Sequence, residues 1–217
     1  MWALIEEQEI KQILTRPKAL LIADVNYPAN IFMLWTSSEL EAIGIYAVVI
    51  DNSNFKDQEY YINTNQTFAF ADGTVTASYG TATARALADT LYTAQDVTDD
   101  VYPEGHADAG DRINTWSEGD VKTPGLKTNH KAIINQQAYG LLLPSDWMVV
   151  KASETGGSVE ADWTTYRADV RTTAAKMIVK ISDVTTVDEL AALYVYDDET
   201  PPVRPLGDWP QSPDNSV

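Results

Sequence analysis

The chain has 217 residues, room for one large or two small domains, and its 44% hydrophobic content is that of an ordinary globular protein able to bury a core. It contains no cysteine, which excludes disulfides, thiolate metal sites and cysteine nucleophiles. A net charge of −17 and a pI near 4.3 set the surface against phosphate backbones, so no nucleic-acid partner is expected. The simpler reading of this acidity is solubility at high local density; the sharper one is docking of a basic partner or a cation.

Met1 to Ile5 is followed at once by Glu6 and Glu7, so no secretory leader is expected there. The longest apolar runs, such as Tyr46 to Ile50, are too short to span a bilayer. A soluble chain with no membrane insertion is therefore expected. The apolar runs Trp2–Ile5 and Glu9–Leu14, on either side of a Glu-Glu-Gln turn, predict a hairpin. Arg16-Pro17 interrupts regular structure, and apolar stretches follow at 19–25 and 31–35.

Thr36-Ser37-Ser38-Glu39 has capping-box spacing, and Gly44 stands where a helix C′ glycine belongs. A short helix over Leu40 to Ile43 and a strand over 46–50 follow from this. Tyr60 to Asn63 is a further strand candidate. The sharpest local signal is Asp72-Gly73 between the alternating segments 67–71 and 74–79, the mark of a type I′ hairpin.

Residues 81–91 carry a weak helical pattern. From about 95 to 125, acidic residues, Gly and Pro predominate, which predicts a linker or extended arm with Trp116 docked against something. The segment 126–143 carries Leu126, Ile133, Ile134, Ala138, Leu141 and Leu142 near helical spacing, and Pro144 ends it. Trp147 to Val150 is expected to be a short buried segment. A second helix, starting near 159–162 and reaching about 181, should bury Trp163, Tyr166, Val170, Ala174, Met177 and Ile181. A last short helix follows Thr185-Thr186, and the Pro-rich tail from 197 should be extended, ordered only where it packs.

The search for chemistry yields little. His106 lies near Asp108 and Asp111, but their spacing fits no metal motif, and solvation is the favoured reading. His130 sits on a predicted helix, where packing explains it better than catalysis. No G-x-S-x-G elbow and no phosphate loop occurs. The adjacent carboxylates Glu6/Glu7, Asp99/Asp100 and Asp197/Asp198 would point apart on strands, and in a chain this acidic they arise by chance. No cofactor, no metal and no enzymatic activity is expected. Trp35, Trp147 and Trp163, set in apolar patterns, read as core residues. Trp116 and Trp209, isolated in polar or Pro-rich stretches, are interface candidates. Arg167 and Arg171 share a helix face. They are candidates for holding Glu154 or a partner carboxylate or, the favoured reading, for an intramolecular ion pair tying the helix to the preceding loop.

Two stretches carry a resemblance. Tyr27-Pro28-Ala29-Asn30-Ile31 to Trp35, followed by Ser38-Glu39-Leu40-Glu41-Ala42-Ile43-Gly44-Ile45, resembles a module recurrent near the N-termini of tail and tail-fibre-associated proteins of tailed bacteriophages. Leu143-Pro144-Ser145-Asp146-Trp147, Glu154, Tyr166-Arg167 and Val170-Arg171, with the Val187-to-Leu190 helix, is similar to the C-terminal helical region of phage tail-fibre and fibre-assembly proteins. There a D-W pair lies about twenty residues before a Y-R-x-x-x-R helix. The two stretches cover about half the chain. The resemblance implies a virion or assembly role without catalysis.

The expected fold is α+β, an N-terminal antiparallel β-rich domain followed by a small helical hairpin or bundle. Its parts are a docking domain at 1–94, an acidic linker at 95–122, a helical domain at 123–196 and an extended tail at 197–217. The expected function is that of a phage tail structural protein, a tail-fibre component or adaptor docking onto the tail or baseplate. It would be made in the host cytoplasm and located in the virion. Its expected partners are other tail and baseplate proteins and further copies of itself, with a host receptor as an unassigned third. The alternatives are a tail-fibre assembly chaperone absent from the mature particle, a receptor- or glycan-binding module, and an enzyme acting on envelope polysaccharide.

Overall fold

The computed structural model describes residues 1–98 and 116–215. The fold is α+β: a curled five-stranded sheet, then a helical region. The chain forms two compact units, Met1–Thr83 and Ala84–Val217.

The first unit begins with a hairpin of β1 (Trp2–Glu6) and β2 (Glu9–Leu14). Glu7 and Gln8 both take positive φ at its turn, 52° and 64°, the twist that a two-residue hairpin loop requires. A smaller hairpin of β3 (Leu20–Ile22) and β4 (Val25–Tyr27) follows, then two short helices, α1 (Ile31–Leu34) and α2 (Ser37–Glu41). The capping box forms as the sequence predicts: the Glu39 N–H donates to Thr36 Oγ1, and Glu39 Oε2 accepts from the Thr36 N–H. The bonds this carboxylate accepts from the Thr36 N–H first, and then from the Thr36 hydroxyl, hold it below its ordinary range.

The chain then enters β5 (Ile45–Asp51), passes the short β6 (Tyr61–Ile62), and returns as the hairpin β7 (Gln66–Ala71) and β8 (Thr74–Tyr79). Asp72 and Gly73 take φ of 50° and 74° at that tip, as their Asp-Gly sequence predicts. The strand order is β2-β1-β5-β8-β7. All pairings are antiparallel except β5 with β8, which is parallel. The edge strands β2 and β7 approach each other, so the sheet curls.

Alternation along β1 sends Leu4 to one face and Ala3 and Ile5 to the other. Leu4, Leu14 and Ile45 meet Leu20, Ile31, Phe32 and Leu40 from the overlying hairpin and helices. On the inner face Ala3, Ile5 and Val75 pack with Tyr46, Val48 and Phe70.

The second unit starts from β9 (Thr83–Ala84), where the chain passes from one unit to the other. Residues 81–91, expected to be weakly helical, instead contain β10 (Thr90–Leu91), which pairs with β11 (Val121–Thr123). Between them lie α3 (Ala94–Thr98) and the undescribed residues. The main body is α4 (Leu126–Leu142) packed on α6 (Ala161–Asp183). All six apolar residues expected on the inner face of α6 are buried, and Arg167 with them. Between α4 and α6 come a 3-10 turn (Leu143–Ser145) and α5 (Asp146–Thr155). The last helix, α7 (Val187–Ala192), opens on a second capping box, Thr186 with Glu189.

The tail packs on this unit. Leu206 is buried, its N–H donates to Leu193 O at 2.9 Å, and Lys180 Nζ donates to Pro205 O at 2.6 Å.

Candidate interaction surfaces

The four residues singled out as interface candidates all have partners within the second unit. Trp116 stacks on buried Tyr92, ring centres 5.8 Å apart and planes 23° apart. Beside them Lys122 Nζ donates to Asp96 Oδ1 at 2.5 Å, and the Thr93 N–H and hydroxyl donate to the other carboxylate oxygen. These bonds, the lysine's first, pull the Asp96 carboxyl down to about 2. His106, Asp108, Asp111 and the Asp99/Asp100 pair lie outside the described residues. Among the described residues no group of three His, Asp or Glu side chains gathers as a metal site.

Trp209 is half-buried, and its indole N–H donates to Gln137 Oε1 at 3.2 Å. It borders an open groove of about 290 Å³ with Gly140, Leu141 and Arg204. His130, on the inner face of α4, is buried with its Nδ1 2.7 Å from the Tyr194 hydroxyl.

Arg167 joins the two halves of the D-W…Y-R-x-x-x-R pattern. Its Nη1 donates to Leu142 O at 2.9 Å and to Ser145 Oγ at 2.6 Å, and its Nη2 to Asp146 Oδ1 at 2.7 Å. The carboxylate it meets is that of Asp146, and the turn it closes is the joint between α4 and α5. Ser145 Oγ in turn donates to Leu142 O at 2.8 Å. The planar guanidinium suits this work because it offers several donors in fixed directions. Arg171, one turn on, donates to Arg167 O at 3.2 Å.

Trp147 corrects a sequence expectation. It lies on a helix, none of whose residues is buried, and is itself 56% exposed. The apolar run 147–150 has the composition of a core segment, yet the burial that packs α6 on α4 leaves α5 with contacts at its own start, the 3-10 turn. Tyr139, Leu143, Trp147 and Val150, at spacings of four, four and three across the joint, are each at least half exposed. Lys151 Nζ stands 5.6 Å from the Trp147 ring centre. Trp147 and Lys151 also border a cavity of about 110 Å³, with Met148, Ala152, Ser158 and Val159. Sequence reasoning missed this surface. The only signal in the chain was the bracketing of the run by Pro144 and Gly156-Gly157, which isolates it from longer elements.

No protein-family model, no curated protein and no solved structure matches the chain. Among the described residues no helix is long and apolar enough to cross a membrane.

Proposed function

We propose that the chain is a structural protein of a tailed-phage tail, a fibre component or adaptor that works by docking onto other tail or baseplate proteins. The observation that carries this reading is α5. A buried arginine clamps its first residue to the end of α4, while its apolar side chains, Trp147 foremost, stay uncovered. A ten-residue helix is marginal by itself, and exposed Trp and Tyr are the residue types that anchor protein interfaces. The residues of the clamp, Asp146 and Arg167, are also those through which the second half of the chain resembles fibre-associated proteins. The two features therefore support one reading, in which a rigid joint presents an adhesive helix. Such a protein is made in the host cytoplasm and ends in the virion.

Mass spectrometry of purified particles of the phage that encodes the chain tests this. Peptides at constant stoichiometry across density-gradient fractions are expected. Absence from particles, together with fibreless particles when the gene is deleted, would overturn the virion reading in favour of a tail-fibre assembly chaperone.

A further inference from the structure

The helical layer of the first unit covers only part of its sheet. Leu4, Leu14 and Ile45 lie under α1, α2 and the β3–β4 hairpin, and Trp2, paired with Ala47, packs on Phe32 at the edge of this cover. Along the same face the strands run on uncovered. In β5 the residues in phase with Ile45 are Ala47 and Val49, both exposed. The parallel register places Val49 beside Thr76, and the β7–β8 register places Thr76 beside Ala69. In the neighbouring rows Ala71 pairs with Thr74, and Thr67 with Ser78. Thr67, Ala69, Ala71 and Thr74 are exposed. The bulky partners in these strands, Tyr46, Val48, Phe70 and Val75, all point the other way into the inner cluster.

Three adjacent strands thus present a face of Ala, Val, Thr and Ser. Its only ionisable residue, Asp51, stands at the end of its strand with Oδ1 accepting from the Ser53 N–H at 2.9 Å. A solvated sheet face ordinarily alternates in charged side chains. Here they are absent from a chain of net charge −17.

Resting on the assembly reading above, we propose that this face is where a second copy of the same chain docks, sheet face on sheet face. The charge decides the occupant. Two copies of so acidic a chain repel wherever carboxylates meet, and this face brings none of them together except at its rim. It offers a basic partner nothing to recognise. Small side chains also let two sheets approach to the roughly 10 Å of a face-to-face packing. Three strands about 4.8 Å apart and six residues long at about 3.3 Å each make a patch of roughly 300 Å². That is below the roughly 800 Å² per partner of a standard interface. The pair is therefore weak and concentration-dependent in solution, and it gains strength where a symmetric assembly repeats it.

Sedimentation of the full chain from about 1 to 300 µM, a range suited to a weak interface, tests the proposal. The average mass should rise from 24.0 kDa towards that of a pair. Val49→Lys and Val49→Glu should each weaken association about tenfold or more, with unchanged circular dichroism. Mixing the two variants should restore it, because opposite charges then meet across the contact; a variant that had merely misfolded would not be rescued. A wild-type monomer over the whole range, or association that neither variant weakens, overturns this inference and leaves the particle reading intact. Absence from particles with association preserved does the reverse.

Discussion

Arg167, on α6, donates to Asp146 Oδ1 at 2.7 Å across 21 residues of chain, and the same guanidinium bonds the carbonyl of Leu142 and the hydroxyl of Ser145. Its side chain is 10% exposed against 46% for Asp146, so the two ends of the pair are unequal. Arg167→Ala should cost about 2–3 kcal/mol in urea unfolding, because the buried Ser145 hydroxyl and the Leu142 carbonyl lose a charged donor and keep only the bond between them. Asp146→Asn keeps an oxygen acceptor at a half-exposed site and should cost under about 1 kcal/mol. Equal losses for the two variants would show that the ion pair, and not the guanidinium's hold on the turn, sets the energy.

Asp89 caps α4 from a distance. Its Oδ1 accepts the Gly125 N–H at 2.7 Å and its Oδ2 the Thr128 hydroxyl at 2.8 Å, so an unpaired donor at the helix start is satisfied. These bonds, the Gly125 N–H foremost, hold the Asp89 carboxyl below its ordinary value of 3.8. Asp89→Ala should destabilise by about 1 kcal/mol at neutral pH. A lowered folded-state pKa contributes stability that is present above the unfolded value and disappears as pH falls through the folded one. The gap between wild type and variant should therefore be flat from pH 7 to about 5 and close below about pH 4. A gap that persists into strong acid would mean packing, not the carboxylate, is responsible.

Gly44 sits at φ 84°, and a Cβ there would lie 2.5 Å from the Ile5 carbonyl oxygen. The same backbones are already joined, the Ile5 N–H donating to Gly44 O at 2.7 Å, so neither can withdraw cheaply. Gly73, at the hairpin tip, has φ 74° and open space around it. Gly73→Ala should cost about 1 kcal/mol, the left-handed penalty alone, and Gly44→Ala clearly more, towards about 3 kcal/mol. Thermal melts of the two variants side by side measure the difference.

What could be read in the chain is what neighbouring residues decide. The Asp72-Gly73 hairpin, the Thr36 capping box, the start of the last helix after Thr185-Thr186 and the inner face of α6 follow from chemistry within a few residues of each position. What could not be read depends on distant partners. The parallel pairing of β5 with β8 joins residues 48–51 to 75–78, and no local pattern announces it. Segment 81–91 looks weakly helical in isolation, but β11 reaches it from thirty residues on and draws Thr90–Leu91 into a ladder. The tail packs through Leu206, and nothing in its sequence identifies that residue as the one that docks. Of the candidate surface, Arg167 was legible as an intramolecular tie. Trp147 was not, because an apolar run reads the same whether it faces a core or a partner.

Trp147 and Trp163 make the contrast measurable. Trp163 is buried in α6, 5.7 Å from the Tyr166 ring in edge-on contact, whereas Trp147 is 56% exposed on a helix with no buried residue. Trp163→Ala should cost about 3–5 kcal/mol, as large core truncations do. Trp147→Ser should change stability by no more than about 0.5 kcal/mol, as exposed sites do. In particle assembly Trp147 should matter although stability barely depends on it. Trp147→Ser with Leu143→Ser should yield a folded protein that fails to incorporate, since the variant keeps the fold and loses the anchor. Normal incorporation of this folded double variant would remove α5 as the docking helix and leave its exposed apolar surface without a role in assembly.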